Sequence, residues 1–333
     1  MSKLIPIFVG GTGRSGTTVF KGLLSRHAKV ATIQRELRLT IDPGGALDLV
    51  SSLSDRWSPA MADAALTRFD QLVRELGGDG VQRKIFSRIE RSFLWPKGLS
   101  PARYSGWNLA RSFGAEFYGQ RLERLTRDLS HASSQGRWLG SEPYRFGTEI
   151  RETFPFVKEK VMEMVSECFD DLYRQLPNNG VSATHWLDDS PYNLVYAREL
   201  LSTFEGSRFI HLYRDPRDVL ASYQTKIWGG NDFEVIAQRL GGLYERWFQI
   251  RETLPEDSVH EVALEELVAD PEGVLTRVCE FAGMEFDSEL LGFPLDKANT
   301  GRWKKDIAAN EIGRALPHLA QALDVYEYSD RAD

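Results

Sequence analysis

The sequence predicts an α/β protein, a parallel sheet flanked by helices and interrupted by a long, mainly helical insertion. Three observations predict it. Short strand-like runs at 5–9, 184–187, 208–213 and 259–263 alternate with helical patterns, as a parallel sheet requires. The first run passes directly into a glycine-rich loop that opens a helix. Between residues 40 and 183 the spacing of apolar residues is amphipathic and helical, with no internal repeat or low-complexity tract.

Ile5, Ile7, Phe8 and Val9 form the first strand-like run. Gly10, Gly11, Gly13 and Gly16 follow, and they permit sharp turns and a close backbone approach that a side chain would block. The helix starting near Gly16 turns unpaired N–H groups and a positive dipole end toward an anion. The loop therefore reads as a P-loop-like phosphate cradle, with a tight structural turn as the bland alternative. It lacks the lysine that a magnesium-nucleotide loop places after its last glycine: Thr17 and Thr18 stand there, and the loop's cation is Arg14. Its binding set is thus backbone amides, two hydroxyls and a planar five-donor guanidinium.

In the insertion, helical spacing is clearest over 62–76, around 119–129 and over 156–173, where packing is the default explanation. Arg83, Lys84, Arg88 and Arg91 read as a solvated helix face, or as a rim for an anionic ligand. The run at 208–213, R-F-I-H-L-Y, leads into R-D-P-R-D-V-L-A-S-Y at 214–223. Pro216 suits a first helical turn and Asp215 its cap. Arg214 at the strand end and Ser222 two turns along are placed to converge on a further anion; the plain alternative is a surface capping pair of Asp215 and Arg217. After the run at 259–263 come E-E-L-V-A-D-P-E-G-V-L-T-R-V-C-E-F-A-G-M and then K-A-N-T-G-R-W-K-K-D at 297–306.

Taken together, G-T-G-R-S-G-T-T and R-D-P-R-D-V-L-A-S resemble the sulfotransferases that use 3'-phosphoadenosine 5'-phosphosulfate, PAPS. The resemblance covers most of the chain and implies a single domain over 1–333, with the helical insertion at 40–183 forming the acceptor pocket. It implies that Gly13, Arg14, Ser15, Gly16, Thr17 and Thr18 grip the 5'-phosphosulfate and that Arg214 and Ser222 serve the 3'-phosphate. The loop at 297–306 corresponds to one that folds over the nucleotide, which makes Lys297, Gly301, Arg302 and Lys304 candidates there. Asp296-Lys297-Ala298 departs from the Arg-Lys-Gly of the cytosolic branch, so the identity of the cations is open. In motif style the chain is similar to the protein-tyrosine sulfotransferases and their bacterial relatives, which carry Glu-x-Arg after the first helix. Glu36-Leu37-Arg38 stands there with a one-residue offset, implying Glu36 as general base; the alternative is a plain ion pair with Arg35 or Arg38. His131, His185 and Glu142 are the next bases to test. In D-D-S-P-Y-N, 188–193, Asp189 occupies the place of a lysine common in relatives, so a supporting cation is either missing or supplied from elsewhere, and Asp188 or Asp189 could orient an acceptor or an arginine.

The implied reaction is in-line transfer of a sulfuryl group from PAPS to an acceptor hydroxyl, driven by positioning and by cations at the reacting oxygens. Arg14 is expected on the leaving-group side and Glu36 at the acceptor proton. No metal is expected, and the six histidines are scattered: His27 reads as a helix end, and His185, His211 and His260 as structural residues. Trp57, Phe93, Trp95, Trp107, Tyr144 and Phe146 lie in looser text of the insertion and are candidates for a pocket wall as well as for core.

Length and a 42% apolar share allow a sizeable core. A formal charge of −7 argues against general nucleic-acid binding, so the basic candidates must act as a local pocket. Cys168 and Cys279 form no metal motif or disulfide framework, and a reducing cytoplasm is the expected setting. The text shows no leader and no 18-residue apolar span, so no membrane span is expected. Two other readings compete: a nucleotide-binding module without catalysis, supported by Asp189, and a P-loop kinase, opposed by the missing lysine.

Overall fold

The computed structural model describes residues 3–78, 104, 106–136, 138, 149–176, 183–226, 230, 232–295 and 298–329. In chain order its elements are β1 (Ile5–Gly10), α1 (Thr17–Leu24), β2 (Val30–Ala31), α2 (Ala46–Leu53), α3 (Pro59–Gly77), α4 (Leu109–Phe113), α5 (Ala115–Asp128), β3 (Ala132–Gln135), β4 (Glu149–Glu152) and α6 (Lys158–Arg174). Then follow β5 (His185–Asp188), a 3-10 turn at Pro191–Tyr196, α7 (Ala197–Thr203), β6 (Arg208–Tyr213), α8 (Pro216–Gln224), α9 (Phe233–Arg251), β7 (Val259–Ala263), α10 (Leu264–Ala269), α11 (Pro271–Ala282), α12 (Trp303–Asp306) and α13 (Ala309–Val325). The chain divides into two compact units: Met1–Leu4 with Ala31–Gly180, and Ile5–Val30 with Val181–Asp333.

The second unit is built on a sheet of order β2-β5-β1-β6-β7, in which β1 runs parallel to both β5 and β6, and β6 to β7. Central parallel strands are covered on both faces, which is why apolar residues are consecutive in β1 at Ile7, Phe8 and Val9 and in β6 at Phe209 and Ile210. Ile7, Val9, Ile210 and Leu212 point to one core with Phe20, Leu23, Leu264, Leu275 and Val278. Phe8 and Phe209 face the other way, Phe8 edge-on to Trp186 at 5.3 Å and Phe209 stacked with Trp247 at 5.6 Å. Helix starts are written locally. Asp215 accepts from Arg217 N at 2.9 Å ahead of Pro216, and Asp270 accepts from Gly273 N at 3.0 Å ahead of Pro271.

The first unit is mainly helical, as expected, with α3, α5 and α6 over the three predicted stretches. Ser58 caps α3 by accepting from Met61 N, Pro59 opens the helix, and Gly78 at φ 81° ends it. The antiparallel pair β3–β4, with Ala132 opposite Glu152, was not expected. All four residues of β3 are exposed, so no apolar alternation marks the strand. Asp63 of α3 anchors the pair, accepting from Arg151 N at 3.0 Å, while Arg151 Nη1 donates to Asp70 at 2.6 Å.

Candidate functional site

The loop between β1 and α1 is shaped by backbone conformations that few side chains tolerate. Gly13 and Gly16 adopt φ of 76° and 101°, and Arg14 itself sits at 59°. A Cβ on Gly13 would lie 2.6 Å from the Tyr223 hydroxyl, and one on Gly16 would lie 2.7 Å from Leu264 Cδ1. Tyr223 braces the loop by donating to Thr12 O at 2.6 Å. At the other edge Gly11 N donates to Pro191 O at 3.0 Å, and Asn193 Nδ2 donates to Val9 O at 3.2 Å. Backbone, rather than side chains, therefore forms the inner surface of the loop.

A cavity of about 120 Å³ opens against it, lined by Arg14, Gly16, Thr17, Thr18, Arg214 and Ala298 among others. The first-loop and second-motif residues thus meet in space. Arg14 Nε donates to Ser222 Oγ at 2.9 Å, and Arg214 Nη1 donates to Arg14 O at 3.4 Å. Burial lowers the Arg14 pKa; Tyr223 opposes this, and the nearby guanidiniums of Arg214 and Arg302 lower it further. Arg214 Nη2 also donates to Asp218 Oδ2 at 3.2 Å and contacts Asn299 O. Arg214 Nε and Ser15 Oγ are buried without a partner among the described residues. Asp215 and Arg217 do form the capping pair, but a buried one, with Arg217 Nη2 2.8 Å from Asp215 Oδ2.

In the last loop, Gly301 at φ 72° donates its N–H to Asp218 at 2.7 Å, Arg302 pairs with Asp306 through Nε at 2.6 Å, and the exposed Lys304 places its ammonium 5.9 Å from the Trp303 ring. Lys297 and its neighbour Asp296 lie outside the described residues, as do Glu142, Phe93, Trp95, Tyr144, Phe146 and the Arg83–Arg91 cations.

A cation does lie beside Asp189, and it comes from α1. Lys21 Nζ lies 2.8 Å from Asp189 Oδ1, with both side chains almost wholly buried. Next to it Asp188 accepts from Ser190 N at 3.0 Å and Ser190 Oγ at 2.7 Å, closing the turn after β5.

Glu36 belongs to the first unit, where its carboxylate pairs with Arg38 and its carbonyl accepts from Trp107 Nε1 at 2.9 Å. Arg38 is at φ 64°; burial alone would lower its pKa, but Glu36 and Asp42 outweigh that and raise it. Arg35 lies over the Trp107 ring at 5.1 Å. Trp57 is tied by Nε1 to Thr153 Oγ1 at 3.1 Å. Of the histidines, His185 spends Nε2 on Ala282 O at 2.9 Å and Nδ1 on Thr184 Oγ1 at 2.8 Å, and burial lowers its pKa. His27 contacts Glu285 O at 2.9 Å, His211 contacts Glu261 at 2.8 Å, and His131 packs edge-on to Phe154 at 4.6 Å.

Sequence reasoning passed over Lys21, Asp218 and Tyr223. Asp218 and Tyr223 lie inside or beside a motif already singled out, and Lys21 falls one turn beyond Thr17 on the same helix. Among the described residues no helix is long and apolar enough to cross a membrane, and no group of His, Cys, Asp and Glu is placed to hold a metal ion.

A sequence model described as the sulfotransferase family matches residues 117–288. No curated protein matches the sequence. Among solved structures, the sulfotransferase domain from the curacin biosynthetic pathway is 16% identical with a TM-score of 0.50, covering 96% of this chain and 98% of that one. The sulfotransferase domain of the Synechococcus PCC 7002 olefin synthase is 17% identical, with a TM-score of 0.49 and 95% of each chain covered. Sulfotransferase STF9 from Mycobacterium avium is 16% identical, with a TM-score of 0.46, covering 98% of this chain and 77% of that one.

Proposed function

We propose, from the premise that this chain belongs to the sulfotransferase family, that it transfers a sulfuryl group from PAPS to a hydroxyl of its acceptor and that the cavity beside the first loop holds the nucleotide. One observation carries the assignment of the cavity. Arg14 and Arg214, two hundred residues apart, line the same small cavity as a glycine cradle that leaves no room for side chains. The donor set suits a bisphosphate nucleotide: loop amides, the hydroxyls of Thr17 and Thr18, and the buried Arg214 Nε, without a partner among the described residues, offer hydrogen bonds to anionic oxygens. A bound PAPS supplies the activated sulfuryl group.

The chain's residues supply position and charge. Thr17, Thr18 and the amides of Gly13 to Gly16 hold the 5' end, with Arg14 set against the negative charge that grows on the leaving side. Arg214 and Ser222 serve the 3'-phosphate, joined through Arg14 into one hydrogen-bonded set. Gly301, Arg302, Lys304 and Lys297 belong to the segment that closes over the nucleotide. Lys21, held by Asp189, keeps a positive charge buried one turn behind Thr17. Glu36 accepts the acceptor's proton, a role that rests on the Glu36-Leu37-Arg38 motif, in which Arg38 pairs with the carboxylate. The helical stretch at 40–183 supplies the acceptor pocket.

Calorimetric titration with adenosine 3',5'-bisphosphate, beside AMP and magnesium-ATP, tests the reading. Micromolar binding of the bisphosphate, stronger than that of either control, is the expected result; binding of magnesium-ATP alone would return the loop to the kinases.

A further inference from the structure

Asp218 stands in the first turn of α8, where a carboxylate ordinarily serves its own helix end. Here it does not. Its side chain is fully buried, and both oxygens face a segment more than eighty residues downstream. Oδ1 accepts from Trp303 N at 2.9 Å, while Oδ2 accepts from Gly301 N at 2.7 Å and from Arg214 Nη2 at 3.2 Å. The same Arg214 nitrogen reaches Asn299 O, and Ala298 lines the cavity. The neighbouring Arg217 lies over the Trp303 ring at 4.3 Å and donates to Tyr328 O at 3.1 Å, so the segment is also held through its side chain.

We propose that Asp218 is the positioning residue of the nucleotide site, one carboxylate that fixes the Arg214 guanidinium and the 298–303 segment relative to each other. This rests on the reading that the cavity takes adenosine 3',5'-bisphosphate, with Arg214 serving the phosphate that AMP lacks. Three charge-assisted hydrogen bonds converge on a group shut away from water, so no solvent molecule can replace it. Asp218 and Asn299 O hold Nη2, Arg14 O takes Nη1, and Nε is left buried without a partner among the described residues. By fixing Nη2, Asp218 orients the guanidinium, and it does so without being among the residues that line the cavity.

Titration of the native and Asp218→Asn chains with adenosine 3',5'-bisphosphate and with AMP tests this. The native chain is expected to prefer the bisphosphate by about tenfold or more; no preference would remove the reading of the cavity and this proposal with it. Asp218→Asn keeps the shape, but its amide cannot accept from all three donors. The bisphosphate affinity should fall about tenfold while that for AMP changes less than about threefold. A preference left intact in the folded variant, or an equal loss for both nucleotides, overturns the positioning role while leaving the cavity assignment standing. Should the variant fail to fold, hydrogen exchange on the native chain decides. The Gly301 and Trp303 amides should be protected and slowed further by the bisphosphate but not by AMP, whereas exchange at the rate of an unstructured peptide, or protection that neither nucleotide alters, refutes the latch.

Discussion

Replacing Lys21 with Met removes an ammonium 2.8 Å from Asp189 Oδ1 while keeping most of the aliphatic stem that packs in α1. The two side chains are only 9% and 5% exposed, so the remaining carboxylate cannot recover its hydration. That places the pair among buried bridges, where losing one partner costs about 3–5 kcal/mol, rather than among surface pairs worth under about 1 kcal/mol. For a compact unit of roughly 180 residues this is a drop in Tm of about 6–20 °C. Asp189→Asn alone should cost a similar amount by stranding the ammonium. The double variant Lys21→Met/Asp189→Asn should recover much of the loss, since two neutral groups leave no buried charge unbalanced. Urea denaturation of all four proteins gives the coupling energy directly, expected at about 2 kcal/mol or more. Single-variant losses that simply add, within about 0.5 kcal/mol, would refute the claim that these charges answer each other across α1 and the turn after β5.

Arg14→Ala should lower turnover by about a hundredfold or more, the size of effect seen when one donor to developing charge is removed; undiminished turnover would end its assigned role. Glu36→Gln should keep nucleotide affinity and lose turnover by about a hundredfold, and normal turnover would turn attention to Glu142 or a histidine. Because burial lowers the folded-state pKa of His185, the unfolded chain takes up a proton below about pH 6.5 that the folded chain refuses. Stability should therefore fall as pH drops through that range, and His185→Gln should flatten the dependence in urea titrations at pH 5 to 7.

The strands β1 and β6 were readable because apolar residues cluster in them, Ile7 to Val9 and Phe209, Ile210 and Leu212, and the cap at Asp215 because Asp-Pro encodes a helix start within two residues. The convergence of the two motifs was readable only through the resemblance, since nothing in local spacing brings residue 14 to residue 222. What stayed hidden follows the same logic. Asp218 meets Gly301 and Trp303 across more than eighty residues, and Lys21 meets Asp189 across 168. Each side chain looks like an ordinary surface charge until the sheet sets its neighbour. The β3–β4 pair was missed for the opposite reason, because exposed Ala-Ser-Ser-Gln carries no alternation and its anchor is the distant Asp63.

The central position of β1 has a consequence for how the protein is made. Ile7, Phe8 and Val9 leave the ribosome well before their strand partners, which begin at His185 and Arg208. At about 5–20 residues per second, roughly ten to forty seconds pass before a neighbouring strand exists for them. During that interval this buried, apolar strand has no sheet to join, while the helical stretch that follows it can already fold on local contacts. Nascent chains halted between residues 31 and 180 are accordingly the ones that should lean most heavily on chaperones, and the loop between β1 and α1 is among the last features of the molecule to acquire its shape.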